Sequence, residues 1–254
     1  MSAKPTHYIH LNSDSRNKTI YTNPAECRLD LPMNYSSVRG IRLLTYNIGN
    51  DRYNVSSSTN TIVMTISGYT QDSSTITPGC YDLDEFKTQL KTCLDAIATS
   101  QVSGDTFTIT ENAQTGQLVI TSSTNDFTLD FDAATFTLDP RLLGYDKAEA
   151  SGRASSSNVV TSTLIPDVNL DKNYFIKFSN LPTNMLSTNT NITGQFIVPV
   201  ATAKFANLIF LGQYEQTVVF SSPTSFNYMD VEIRDADNNI ITLNSSWEMV
   251  LHVY

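Results

Sequence analysis

A chain of 254 residues with a formal net charge of -9 and a pI near 4.7 repels phosphate backbones overall, which excludes a sequence-independent grip on nucleic acid. Only 16% of the residues are charged and 40% are hydrophobic; Ser, Thr and Asn fill the difference, a mix that favours strands and loops over long helices. No window approaches the roughly 18 to 20 apolar residues of a membrane span, and Met1-Ser2-Ala3-Lys4-Pro5 leads into no apolar signal segment, so neither insertion nor secretion is expected.

Residues 1–26 read as an N-terminal arm, and its cations Lys4, Arg16 and Lys18 are candidate partner contacts in an otherwise acidic chain. A first β-rich block runs from Cys27 to Ile66. There Ile41, Leu43 and Thr45 alternate with Arg42, Leu44 and Tyr46, and Ile62, Met64 and Ile66 alternate with Val63 and Thr65. Asn50 to Asn60 is a long polar loop between these strands. After Gly68 the texture changes. Thr77-Pro78-Gly79 marks a turn, and Asp82 with Glu85 three positions on forms a capping-box start. Leu83, Phe86, Leu90, Cys93, Leu94 and Ile97 then recur at helical spacing, which predicts one amphipathic helix ending near Ser100.

Three short alternating segments follow, 107–110, 118–121 and 127–131, and together predict a small sheet that covers the helix's apolar face. Leu142-Leu143-Gly144-Tyr145 ends that unit, and 151–163, rich in Ser and without apolar periodicity, reads as a linker or crossing loop. Strands resume at 174–178, 195–200, 207–211, 214–220 and 228–234, with a last one from Trp247 to Tyr254. Neither β block alone has strands enough to close two sheets. The pattern is therefore mainly β: one sandwich (27–67 and 151–254) interrupted by a small inserted α+β subdomain (68–150) with a single helix.

Residue types that carry chemistry are scattered. Asp235-Ala236-Asp237-Asn238-Asn239 starts like a calcium loop, but Ile240 stands where Gly is required and Ser246 where the closing Glu belongs, so a polar turn is the reading. His7, His10 and His252 have no acid, thiol or nucleophile beside them in sequence. Glu232 and Glu248 could face each other across terminal strands as a glycosidase pair would, yet each alternates with an apolar face and reads as solvated surface. Trp247 shares its phase with Met249, Leu251 and Val253 and belongs to a core. Cys27, Cys80 and Cys93 have no metal spacing and suit a reducing compartment. No catalytic residue, cofactor site or metal site is expected, and an enzyme is the last choice.

The stretch Ile41 to Asn60, with Ile48-Gly49-Asn50-Asp51-Arg52-Tyr53-Asn54-Val55 and then Asn60, resembles a segment of the penton, or vertex, proteins of double-jelly-roll DNA viruses: giant viruses, virophages and polinton-like viruses. Gly49 stands where that family favours Pro. Asp14-Ser15-Arg16-Asn17, Tyr21-Thr22-Asn23-Pro24 and Leu29-Asp30-Leu31-Pro32 are similar to the family's N-terminal arm and first strand. The unit from Thr77-Pro78-Gly79-Cys80-Tyr81 to Leu142-Leu143-Gly144-Tyr145 resembles an inserted module shared with other minor capsid proteins, and the paired strands around an Asp-Asn turn resemble the family's ending. The resemblance implies a single jelly roll and a homopentamer that closes the fivefold vertices of an icosahedral capsid. Its partners would be major-capsid capsomers and other minor capsid proteins. Its place would be the virion, assembled inside the host cell, and the arm with Lys4, Arg16 and Lys18 would reach the inner capsid surface or an adjacent subunit. Two other roles stay open: a minor capsid or cement protein of the same lineage, and a host- or glycan-binding module with an exposed aromatic platform in the insert.

Overall fold

The computed structural model describes residues 7–101, 103–170, 173–182, 194–200 and 206–254, with 210–215 by backbone alone. Two compact units emerge, one formed by Met1–Arg52 with Asp171–Tyr254 and the other by Tyr53–Leu170. In chain order the elements are β1 (His7–Asn12), β2 (Glu26–Gly49), β3 (Thr61–Ile66), β4 (Asp72–Thr75), α1 (Leu83–Ser100), β5 (Phe107–Glu111), β6 (Leu118–Ser122) and β7 (Phe127–Leu129). They continue with β8 (Arg153–Ala154), β9 (Val159–Thr161), β10 (Asn173–Phe178), β11 (Phe196–Pro199), β12 (Asn207–Arg234) and β13 (Glu248–Val253).

The first unit is a single jelly-roll β-sandwich made from one antiparallel sheet, ordered β1-β13-β2-β12-β10-β11. At 24 and 28 residues, β2 and β12 far exceed the roughly 5 to 6 residues of an ordinary strand. They can fold over because their pairing breaks register four times, between Leu211 and Gln216, Val219 and Thr224, Thr224 and Phe226, and Phe226 and Tyr228. β13 and β1 attach beside the C-terminal half of β2, and β10 and β11 beside the C-terminal end of β12, so the two long strands pass from one layer to the other. Ile41, Leu43, Trp247, Met249 and Leu251 meet Tyr174, Phe178, Phe196, Met229 and Val231 in the core between.

Alternation predicts the inward faces of β12 and β13 correctly: Met229, Val231, Ile233, Met249, Leu251 and Val253 are all buried. It misreads β2. Val250 pairs with Thr45 while Leu251 pairs with Leu43, so Leu44 is the extra residue of a bulge. The inward phase therefore passes from Ile41 and Leu43 to Tyr46 and Ile48, and Thr45 leaves the face it was expected to share. The segments read separately as 207–211, 214–220 and 228–234 are one strand. Nor do β12 and β13 form a hairpin around Asp235–Asn239, because β2 lies between them. Residues 7–12, expected in a free arm, are an edge strand paired along its whole length with β13.

Two glutamines act as short surrogate strands. The Gln195 amide accepts from Phe178 N–H at 2.7 Å and donates to Phe178 C=O at 3.1 Å, and Gln216 does the same for Ile197 at 2.7 Å each way. Each amide satisfies a backbone pair that the ladder leaves unfilled. Gln195 is buried, so Gln195→Leu orphans the Phe178 N–H and C=O; an expected loss of about 2–3 kcal/mol would be read from the urea midpoint.

The second unit holds two sheets, β4-β3-β7-β8 and β5-β6-β9, with α1. Asp82 caps the helix through the expected box: its carboxylate accepts from Glu85 N–H at 2.9 Å, and Glu85 accepts from Asp82 N–H at 3.1 Å. Phe86, Leu90, Cys93, Leu94 and Ile97 then bury against Ile62, Met64, Phe107, Leu118 and Ile120. Three sequence expectations need correction. The strand at 61–66 pairs with β4 and β7 in this unit rather than with the first β block. β7 joins β3, not β5 and β6. The place beside β6 goes to β9, which with β8 comes from the Ser-rich stretch read as a linker. Strands of two and three residues show no periodicity, and Val160 is the single buried apolar residue of β9.

Candidate functional site

The residues singled out by chemistry do not converge. Glu232 lies on β12 against Lys177 at 3.4 Å, whereas Glu248 lies on β13 and accepts from Asn12 Nδ2 at 2.9 Å; a whole strand separates the two carboxylates. Asp235 is buried and works as the anchor of its turn. Its Oδ1 accepts from Asp237 N–H and Asn239 N–H at 2.9 and 2.8 Å, and Oδ2 lies 3.5 Å from Arg52. Trp247 is fully buried with its indole N–H donated to Pro24 C=O at 2.7 Å. Cys27 and Cys93 are buried, and desolvation pushes the Cys27 thiol up to about 11. Of the exposed aromatic platform expected in the insert, Tyr69, 39% exposed, is the exposed ring among the described residues of 68–150.

Of the three candidate cations, Lys4 lies outside the described residues. Arg16 is committed to its own chain, donating to Ser13 C=O at 2.8 Å and Tyr21 C=O at 2.9 Å, which holds the turn after β1. Lys18 pairs with Asp14 at 2.8 Å and remains well exposed. No described helix is long and apolar enough to cross a membrane.

What sequence reasoning missed is a face. On the outer side of the layer β1-β13-β2-β12, cross-strand pairing sets Tyr8, His252, Arg42 and Thr217 in one row and Asn12, Glu248, Asn47 and Ile209 in another. Val219 follows two residues after Thr217, beside Gly40, and Val250 lies between the rows. Tyr8, Ile209 and Val219 are 67%, 61% and 58% exposed, at three separate places on this face. The Tyr8 ring stacks on His252 with centroids 5.2 Å apart, and a depression of about 180 Å³ opens between His10, Thr45, Asn47, Ile209, Glu248 and Val250. The exposed face of the other layer carries ion pairs. Arg28 grips Asp230 through two bonds of 2.7 and 3.0 Å, Glu232 takes Lys177 and Arg234, and Glu26 and Asp30 stand beside them.

Charge is partitioned just as unevenly. The sandwich unit has 11 acidic and 11 basic side chains, whereas 53–170 has 14 acidic and 5 basic, so the whole net charge of -9 belongs to the second unit. One of its carboxylates is structural. Asp105 is buried, which opposes its ionised form, but hydrogen bonds from the side chain and backbone of Asn125 and from Ser122 outweigh burial and hold its pKa below the ordinary value. A depressed folded pKa contributes stability above the unfolded value of roughly 3.9 and loses it as pH falls through the folded one. Urea midpoints taken from about pH 6 to about pH 3 should therefore fall less steeply in Asp105→Asn than in the parent chain.

A family model described as a family of unknown function, DUF5901, matches residues 1–245. Among solved structures the mavirus penton protein has this fold, with a TM-score of 0.53 at 12% identity over 98% of this chain and 99% of its own. A chain of the Sputnik virophage, from its cryo-EM structure, gives a TM-score of 0.54 at 10% identity over 99% of this chain and 98% of its own. No curated protein matches by sequence.

Proposed function

The chain belongs to the DUF5901 family, and from that premise together with its fold we propose that it is a structural protein of a virus capsid, the penton of an icosahedral particle. Five copies would close each fivefold vertex and contact the surrounding major-capsid capsomers and other minor capsid proteins. The protein acts by assembly rather than turnover, inside the host cell and then in the virion. The observation that carries this reading is the extent of the likeness to the mavirus penton protein: it takes in both units, with 98% of this chain and 99% of that one covered. A sandwich interrupted by a helix-bearing insert is a more particular arrangement than a sandwich alone.

The segment bearing Lys4, Arg16 and Lys18 serves in this account as a contact to a neighbouring subunit or the inner capsid surface. Lys18 offers the exposed ammonium and Arg16 holds the segment's shape. The experiment is immunogold labelling and quantitative mass spectrometry on purified particles of the encoding virus. The protein should be present and its label confined to vertices; its absence from particles contradicts the reading. Deleting residues 2–6, which removes Lys4 and keeps β1, should lower incorporation while leaving the melting temperature unchanged. Full incorporation of that variant removes the segment's role.

A further inference from the structure

We infer that the free edge of β1 takes up an extended segment of a different capsid polypeptide, one with an aliphatic side chain at every second position and a Lys or Arg in reach of Asp30. The inference rests on the capsid reading, which supplies the partner's class. β1 ends its sheet, and among the described residues no strand pairs with its outer side. Ser13 N–H donates to the C=O of Trp247, which sets the alternation of the ladder. Ile9 and Leu11 direct their backbone groups at β13, and Tyr8 and His10 direct theirs away. Such an edge is ordinarily blunted by Pro or by charge, yet His7–Asn12 carries no Pro, Lys, Arg, Asp or Glu.

A hollow of about 160 Å³ runs beside it. Tyr8, Ile9, His10 and Leu11 all line this hollow, residues of both strand faces, so it follows the edge rather than either face. Its far wall is the stretch Leu29 to Pro32 of β2, which β13 leaves uncovered because the two pair only from Ile41 onward. Pro32 has no N–H to give, so β1 is the better ladder partner, and Leu29 and Leu31 supply apolar contact. An added strand would answer the Tyr8 and His10 backbone groups and place an aliphatic side chain in the hollow. Asp30, exposed on the wall with no ionic partner among the described residues, calls for a cation. A second copy of this chain does not offer such a strand. Of its described edge strands, β1, β4, β5, β9 and β11 have no Lys or Arg, and β8, with Arg153, has only two residues.

The test is amide hydrogen exchange on purified particles and on the isolated full chain, joined to variants. The Tyr8 and His10 amides should exchange freely in the isolated chain and at least about tenfold more slowly in particles. His10→Pro removes an outward N–H without touching the bonds to β13, so the melting temperature should hold while incorporation falls about tenfold. His10→Ala, which keeps that N–H, should fall no more than about twofold, and Asp30→Lys about threefold. His10→p-benzoylphenylalanine should cross-link in particles to another capsid protein. Equal exchange in particles and isolated chain overturns the inference, as do a cross-link to a second copy, an equal fall in His10→Ala, or full incorporation of His10→Pro or Asp30→Lys. Should His10→Pro unfold, the parent's exchange decides. These results leave the capsid reading standing; that reading fails on the protein's absence from particles.

Discussion

Trp247→Ala is expected to lower stability by about 3–5 kcal/mol, the cost of emptying a large aromatic site in a packed core. The side chain has no exposed surface and sits where the first unit's ends are tied together. Its indole N–H is donated to Pro24 C=O at 2.7 Å, its backbone N–H to Ser13 Oγ at 2.8 Å, and its carbonyl accepts from Ser13 N–H at 3.0 Å. Alanine keeps the backbone bonds, removes the ring and orphans the Pro24 carbonyl. Trp247→Phe separates the two effects: it retains most of the apolar volume, so its smaller loss measures the hydrogen bond with the residual cavity. Guanidinium unfolding followed by circular dichroism checks both values; an alanine variant within 1 kcal/mol of the parent at about 25 °C would mean the site collapses freely.

Deleting residues 7–12 is expected to cost at least about 5 kcal/mol, a figure comparable with the whole stability of a marginal domain. The strand pairs with β13 from His7 opposite Val253 to Asn12 opposite Glu248, and it buries Ile9 and Leu11 in the sandwich core. Its loss uncovers both the core beneath and the unpaired edge of β13, an invitation to aggregate. The expected result is insoluble protein or a transition that begins well below the parent's. A deletion variant as soluble and as cooperative as the parent would show that β1 is dispensable.

The legible parts of the fold were those with local causes. The helix followed from an apolar stripe and a capping box, both complete within residues 82–100, and the inward faces of β12 and β13 followed from strict alternation. What stayed hidden depended on partners distant in sequence. No local signal says that Leu44 is an extra residue, because a bulge is a mismatch between two strands and exists only once β13 lies beside β2. Pro32 and Pro223 each lie inside a long strand, Pro223 where β12 slips register between Val219 and Thr224. β1 was obscured by its polar neighbours and recognised only by its pairing with β13. The outer face was invisible for a related reason. Tyr8 lies on β1, and Ile209 and Val219 lie on separate stretches of β12, and each alone is an ordinary exposed side chain. Even the charge partition needed the unit boundaries at 52–53 and 170–171 before the balanced sandwich separated from the acidic unit.

The mass of the purified full chain in solution, measured by light scattering across a concentration series, tests the central claim that this sandwich exists to tile against copies of itself. The account predicts a species of five chains, five times the 28.1 kDa of one. A mass that remains 28.1 kDa at every concentration would contradict it.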